Sequence, residues 1–217
     1  MDNYKKIVVG EPFSMPYRVT FADMDAEYRL SLESILGYFQ DAAASYLALR
    51  HVAAFDLQAE GNTWVITDYN VKICGDLPMW RDDVVTEICP SEVSGVKIYF
   101  DFRVMGKNGD VAAKGTCCWS AINVASARPV ALPNLMTVEG STTVKHDRML
   151  YPAVELAASE YSRLTNRSDI DFNDHVNNIS YVKIALSGMP AELMHGTALK
   201  KLSIKFIRQS FLGEELV

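Results

Sequence analysis

Between Leu30 and Leu49 the apolar residues fall at Leu32, Ile35, Leu36, Phe39, Ala43, Tyr46 and Leu47. This is the i, i+3, i+4, i+7 recurrence of a helix with one buried face, and it predicts a long helix over the stretch. The period then changes. WVITDYNVKI, DVVTEIC, KIYFDFRVM and DVAAKGTCCWSAINV are rich in Val, Ile and aromatics and alternate in places, as half-buried strands do. GKNG between the last two signals a tight turn and an antiparallel hairpin. The first 125 residues therefore read as one long helix followed by an antiparallel sheet.

From Ala127 to Ala158 the chain carries three prolines and no sustained period, which reads as a connector between units 1–126 and 159–217. Beyond it come a short strand candidate at Ser162 to Arg167 and the decapeptide DIDFNDHVNN. A second helix follows, with Val176, Ile179, Val182, Lys183 and Leu186 at helical spacing, closed by Gly188 and Pro190. In LKKLSIKFIRQ, Leu202, Ile204 and Phe206 alternate with polar neighbours as in a strand. A weak internal repeat runs through both halves. ADMDAEYRLSLESIL (Ala22 to Leu36) lies over SDIDFNDHVNNISYV (Ser168 to Val182) without a gap, pairing Asp23 with Asp169 and Asp25 with Asp171. Where the second copy has Asn173 and His175, the first has Glu27 and Arg29, so only the second can use an imidazole.

Composition narrows the chemistry. With 49% hydrophobic and 22% charged residues over 217 positions, a sizeable core is expected. The formal net charge of -6 argues against non-specific nucleic-acid binding. No apolar run is long enough for a membrane span and the start lacks a secretory signal, so a soluble, cytoplasmic protein without membrane insertion is expected. The four cysteines, Cys74, Cys89, Cys117 and Cys118, show no CxxC spacing and read as small hydrophobes rather than a metal site or disulfide framework. His51, His146 and His195 lie in no polar cluster and read as structural. No GxGxxG, P-loop or HExxH is present, and no cofactor is expected.

The stretch DIDFNDHVNNISY resembles the Asp-x-Asn-x-His-Val-Asn-Asn-x-x-Tyr signature of the acyl-acyl carrier protein thioesterases of plants and bacteria. The matching residues are Asp171, Asn173, His175, Val176, Asn177, Asn178 and Tyr181. GNTWVITDYNVKI and MWRDDVVTEICP are similar to the family's first-unit strands, with Trp64 and Trp80 in place. The resemblance covers nearly the whole chain. It implies an α+β, tandem hotdog fold, each unit a long helix wrapped by an antiparallel sheet, the first unit non-catalytic and lining the acyl tunnel. It also implies hydrolysis of fatty acyl-carrier thioesters, with His175 and Asn173 catalytic, Asp171 supporting them, and Trp64, Val176 and Asn177 binding substrate. The family's acid after the second helix corresponds to Gln209, which can orient water but cannot take a proton, and the neighbouring cysteine of some members is Ser210 here. The sequence closes at GEELV after one strand of the second unit, so a truncated form and an incomplete second sheet are both open.

Thioester hydrolysis needs a held, deprotonated water and a home for the developing oxyanion, and a helix N-terminus offers free amides for the latter. Asn173 is expected to cap the second helix, leaving the amides around His175 to Asn177 as oxyanion donors and His175 as general base. Direct attack by Asp171 through an anhydride is the competing route. An acyl-CoA thioesterase and a non-catalytic fatty-acyl-binding hotdog protein are the alternative functions. Acyl carrier protein is acidic, so Lys200, Lys201, Lys205 and Arg208 are expected to form a local steering patch. Exposed sheet edges raise the expectation of a homodimer.

Overall fold

The computed structural model of the chain describes residues 4–140, 161–190 and 199–217. Its central element is α1 (Leu32–Ala48), which begins where Ser31 accepts a hydrogen bond from the Ser34 amide, 3.1 Å, and buries Leu32, Ile35, Leu36, Phe39, Ala43, Tyr46 and Leu47. Every apolar position of the predicted stripe is inside. Two short strands precede the helix, β1 (Lys6–Val8) and β2 (Phe13–Arg18), and a one-turn helix α2 (Ala54–Gln58) follows it. The strands β3 (Asn62–Ile73), β4 (Asp83–Ser94), β5 (Lys97–Met105) and β6 (Val111–Asn123) then wrap α1.

The sheet has six strands in the order β2-β4-β5-β6-β3-β9, where β9 (Lys201–Lys205) comes from the far end of the chain. All its neighbours pair antiparallel. Aromatic side chains bind helix to sheet: Phe39 lies 4.3 Å from Phe102 and 5.8 Å from Tyr69 between ring centroids, and Tyr46 lies 6.1 Å from Phe100. At Gly115 of β6 a Cβ would sit 2.1 Å from the Asn70 carbonyl oxygen, so only glycine fits there. The β5–β6 hairpin turns with Gly109 at φ +81°, the left-handed conformation that GKNG predicted.

Some elements were not anticipated. Strand β2 carries Pro16; among the described residues it is an edge strand paired with β4 alone, where the lost donor is tolerated. The first part of the expected connector is ordered: a 3-10 turn at Leu132–Asn134 leads into β7 (Thr137–Glu139), which pairs parallel with β1. The rest of the connector, together with His146 and His195, lies outside the described residues.

The second half contributes β8 (Arg163–Leu164), paired with β10 (Glu215–Leu216), and α3 (Asn178–Ser187). Helix α3 buries Val182 and Leu186 as expected, whereas Lys183 is exposed and Val176 precedes the helix. Strand β9 does not start a separate sheet among the described residues. It extends the first, with Leu202 opposite Val71 and Ile204 opposite Tyr69. This brings the segment after β9 alongside the decapeptide.

Candidate active site

The two copies of the sequence repeat fold into similar loops that share several hydrogen-bonding features. Each starts with a 3-10 turn, Phe21–Asp23 or Arg167–Asp169. In each, an aspartate carboxylate accepts from the backbone amide three residues earlier: Asp23 from Thr20 and Asp169 from Asn166, both 2.8 Å. Asp25 Oδ1 accepts from the Glu27 amide and Asp171 Oδ1 from the Asn173 amide, again both 2.8 Å. The turn then passes through a left-handed residue, Tyr28 at φ +64° or Asp174 at φ +61°. The Ser31 amide donates to the Asp23 carbonyl at 2.9 Å and the Asn177 amide to the Asp169 carbonyl at 2.8 Å. A helix follows directly in both cases.

This loop corrects the expected helix start. Asn173 is not the cap, because the chain after it reverses through left-handed Asp174 and its Oδ1 accepts from Gln58 Nε2 instead of from a helix amide; its own amide is held by Asp171 in an Asx turn. The cap is Asn177, whose Oδ1 accepts from the Ile179 amide at 2.8 Å. His175 therefore lies before the helix, not in its first turn. The expected oxyanion amides are also engaged: Val176 N–H donates to the Ser210 carbonyl at 2.9 Å and Asn177 N–H to the Asp169 carbonyl. Backbone donors at these two positions are unavailable to a ligand because the loop uses them to hold itself together.

What the loop presents is a set of side chains. Asp171, Asn173, His175 and Val176 border one cavity of about 520 Å³, and Gln209, beyond β9, borders it too. Buried Trp64 of β3 forms part of the wall, its Nε1–H donating to the Val52 carbonyl at 2.7 Å. Of the residues expected to be catalytic or to bind substrate, only Asn177 is absent from the lining, being occupied as the helix cap. The volume suits a small-molecule site, and much of the wall is apolar, with Leu47, Ile66 and Trp119 among it.

Several neighbours escaped the sequence reading. Gln58 of α2 donates from Nε2 to Asn173 Oδ1, 3.1 Å, which turns the Asn173 amide nitrogen into the group free to donate elsewhere. The contact spans 115 positions and leaves no local sequence signal. Phe55 and Phe172 meet at 5.0 Å between ring centroids beside the cavity, and Phe211 lies 5.0 Å from the His175 ring. Gln40 of α1 borders the cavity with Ala44 and Leu47 on one stripe; a polar residue interrupting an apolar stripe is the signal that could have found it. Behind the loop, Arg163 holds buried Asp169 with two hydrogen bonds of 2.6 and 2.9 Å, fixing the base on which the decapeptide stands.

In the first copy the position of His175 is taken by Arg29, which pairs with Asp25 at 3.3 Å and Glu27 at 2.6 Å. That copy is an ion cluster, not an acid-base site. Cys117 and Cys118 are buried, and burial raises both thiols above their ordinary pKa, so neither is a ready nucleophile.

Residues 10–138 match the family model of the acyl-ACP thioesterase N-terminal domain and residues 155–217 that of its C-terminal domain. Among curated relatives, a chloroplastic palmitoyl-acyl carrier protein thioesterase of Arabidopsis thaliana is 23% identical over 222 residues, covering 92% of this chain and 52% of that protein. The chain thus spans about half the length of the curated relatives it matches. Among solved structures, an acyl-ACP thioesterase from Bacteroides thetaiotaomicron superposes with a TM-score of 0.79 at 19% identity, covering 94% of this chain and 84% of that one. The 12:0-ACP thioesterase from Umbellularia californica gives 0.76 at 18% identity, over 92% and 78% of the two chains. These likenesses establish the hotdog-type α+β fold.

Proposed function

Because the chain belongs to the acyl-ACP thioesterase family, we propose that it hydrolyses fatty acyl-ACP to free fatty acid and carrier protein. The observation that carries the proposal is the convergence of Asp171, Asn173, His175 and Gln209 on one largely apolar cavity, although Gln209 is separated from the decapeptide by α3 and β9. His175 acts as general base. It takes a proton from water as the water oxygen attacks the thioester carbonyl, and the imidazolium then returns that proton to the departing thiolate. Asn173 donates from its amide nitrogen to the carbonyl oxygen, its Oδ1 being anchored by Gln58. Asp171 shapes the loop, and Gln209 orients water by hydrogen bonding. The anhydride route is disfavoured by the use of Asp171 Oδ1 to hold the Asn173 amide, since acylation of that carboxylate would compete with the turn that positions Asn173.

Carrier docking is assigned to exposed Lys200, Lys201, Lys205 and Arg208. Lys201 and Lys205 share the outer face of β9, and Arg208 reaches the cavity rim. Release of free thiol from acyl-ACP by wild type and by His175→Ala tests the reading. The expected loss in kcat is about 10²- to 10⁴-fold, the usual contribution of a positioned acid-base group. Hydrolysis within a few-fold of wild type would remove His175 as the base. Equal or better turnover of the same acyl group on CoA would move the reading to an acyl-CoA thioesterase. No turnover on either carrier would leave a fatty-acyl-binding protein.

A further inference from the structure

The cavity reaches across the sheet from the β9 side to β6. At the β9 side, Val176 N–H donates to the Ser210 carbonyl, which ties the decapeptide and its polar side chains to the segment carrying Gln209. Next in the sheet comes β3, whose Trp64 and Ile66 border the cavity, and then β6, which borders it with Trp119. Strand β5, the neighbour of β6, contributes no residue to the wall among those described. Trp119 is therefore the last side chain on this path.

The Trp119 ring meets Trp64 at 6.2 Å and Phe100 of β5 at 5.8 Å between centroids, both edge to face at 72°. Trp64 borders the cavity and Phe100 does not, so the indole of Trp119 stands between the open space and Phe100. Behind it the interior is closed. Phe100 and Ile98, the residue opposite Trp119 in β5, are fully buried, and Phe100 packs on Tyr46 of α1. The ring is also held in place. A hydrogen bond joins its indole to the Cys117 side chain on the same face of β6, and the neighbouring Trp64 indole is anchored on the Val52 carbonyl. Tryptophan has only two χ angles, so a ligand displaces it by breaking these contacts and not by bending a flexible stem.

We propose that Trp119 is the floor of the acyl site and sets the longest acyl chain that the cavity accepts; the proposal rests on the thioesterase reading for the acyl chain and adds to it the residue that fixes chain length. An acyl group with its carbonyl at His175 runs its methylenes along Leu47 and Ile66 until the terminal methyl meets the indole. Each carbon up to that point gains burial. The first carbon beyond it must displace a packed ring or leave methylenes in water at the mouth, because a close-packed interior does not absorb added volume. Turnover and affinity then fall on the long side of an optimum.

The test follows the position of that optimum. A homologous series of saturated acyl-ACPs gives kcat/KM against chain length, and calorimetric titration with the matching free acids gives a binding profile that needs no hydrolysis. Wild type is expected to lose about tenfold or more at the first chain too long for the cavity, the scale on which an apolar pocket rejects an added methylene. Trp119→Leu should move the optimum to longer chains in both profiles. Phe100→Leu alone should leave it in place, and Phe100→Leu added to Trp119→Leu should lengthen it further. Trp119→Phe, a smaller loss of volume, should shift it the same way by less and carries the test if Trp119→Leu does not fold, as circular dichroism will show. An unmoved optimum in the folded Trp119 variants, a shift to shorter chains, an equal shift from Phe100→Leu alone, or binding of none of the acids would overturn the proposal. A shifted binding profile without hydrolysis by wild type defeats the thioesterase reading alone; hydrolysis with an unmoved optimum defeats this inference alone.

Discussion

Asn173 has a narrower task than its position in the signature implies. Its backbone amide closes the Asx turn on Asp171, its side-chain oxygen is anchored by Gln58, and only its side-chain nitrogen is left for a ligand. Two outcomes follow at this scale. Asn173→Ala should lower kcat on acyl-ACP by about 10²- to 10³-fold, the range seen when one oxyanion donor is removed. Gln58→Ala should lower it less, about tenfold, because the amide remains but its orientation is no longer fixed. Steady-state kinetics on the two variants checks the order; a larger loss for Gln58→Ala than for Asn173→Ala would show that Asn173 is not the donor. The reason the sequence pointed to Asp171, Asn173, His175 and Gln209, which border the cavity, but not to Gln58 is physical. The first three lie in a contiguous motif and Gln209 at a recognisable offset after a strand. The carboxamide of Gln58 reaches them only through the packing of α2 on the mouth of the cavity.

The repeated loop is the unit that most rewards comparison of sequence with structure. Two aspartates at equivalent positions were enough to show the repeat, because each makes a bond no other residue type would make as well: one caps a 3-10 turn and the other closes an Asx turn. The helix boundary was misplaced by four residues, from Asn173 to Asn177, since both are asparagines and either can cap by residue type. The chain decided between them, since it reverses through left-handed Asp174 after Asn173 and the Asn173 Oδ1 is taken by Gln58. The long helix and the four central strands were legible because their apolar period is sustained. Within the strand candidate at Ser162 to Arg167 the chain forms β8 (Arg163–Leu164), whereas β2 and the two- or three-residue strands β1, β7 and β10 were not read from the sequence, the latter three being too short to show a period. Asn177→Ala removes the cap and should destabilise the chain by about 1 kcal/mol. Gly115→Ala should be far more damaging, because its Cβ collides with the Asn70 carbonyl in the middle of the sheet. Thermal unfolding of the two variants should reproduce that order.

Across the whole molecule, one sheet joins the two halves of the chain. Strand β9 pairs with β3 over Lys201 to Lys205, so the segment holding Arg208 and Gln209 is registered directly against the strand that supplies Trp64, Ile66 and Thr67 to the cavity. The cavity wall is thus shared: Leu47, Trp64, Ile66 and Trp119 come from the first half, and Phe172, Val176, Phe206 and Ile207 join the polar loop from the second. Among the described residues no helix is long and apolar enough to cross a membrane. With a net charge of -6, attraction of an acidic carrier must be local. Charge reversal at Lys200 and Lys201 together should raise KM for acyl-ACP several-fold at low salt, and the difference should shrink as ionic strength rises. An unchanged KM at every salt concentration would remove the patch. The most direct measurement is the hydrolysis of acyl-ACP by wild type beside His175→Ala, with circular dichroism showing both folded. The account predicts thiol release by wild type and a loss of about 10²-fold or more in the variant. Comparable rates in the two proteins would contradict it.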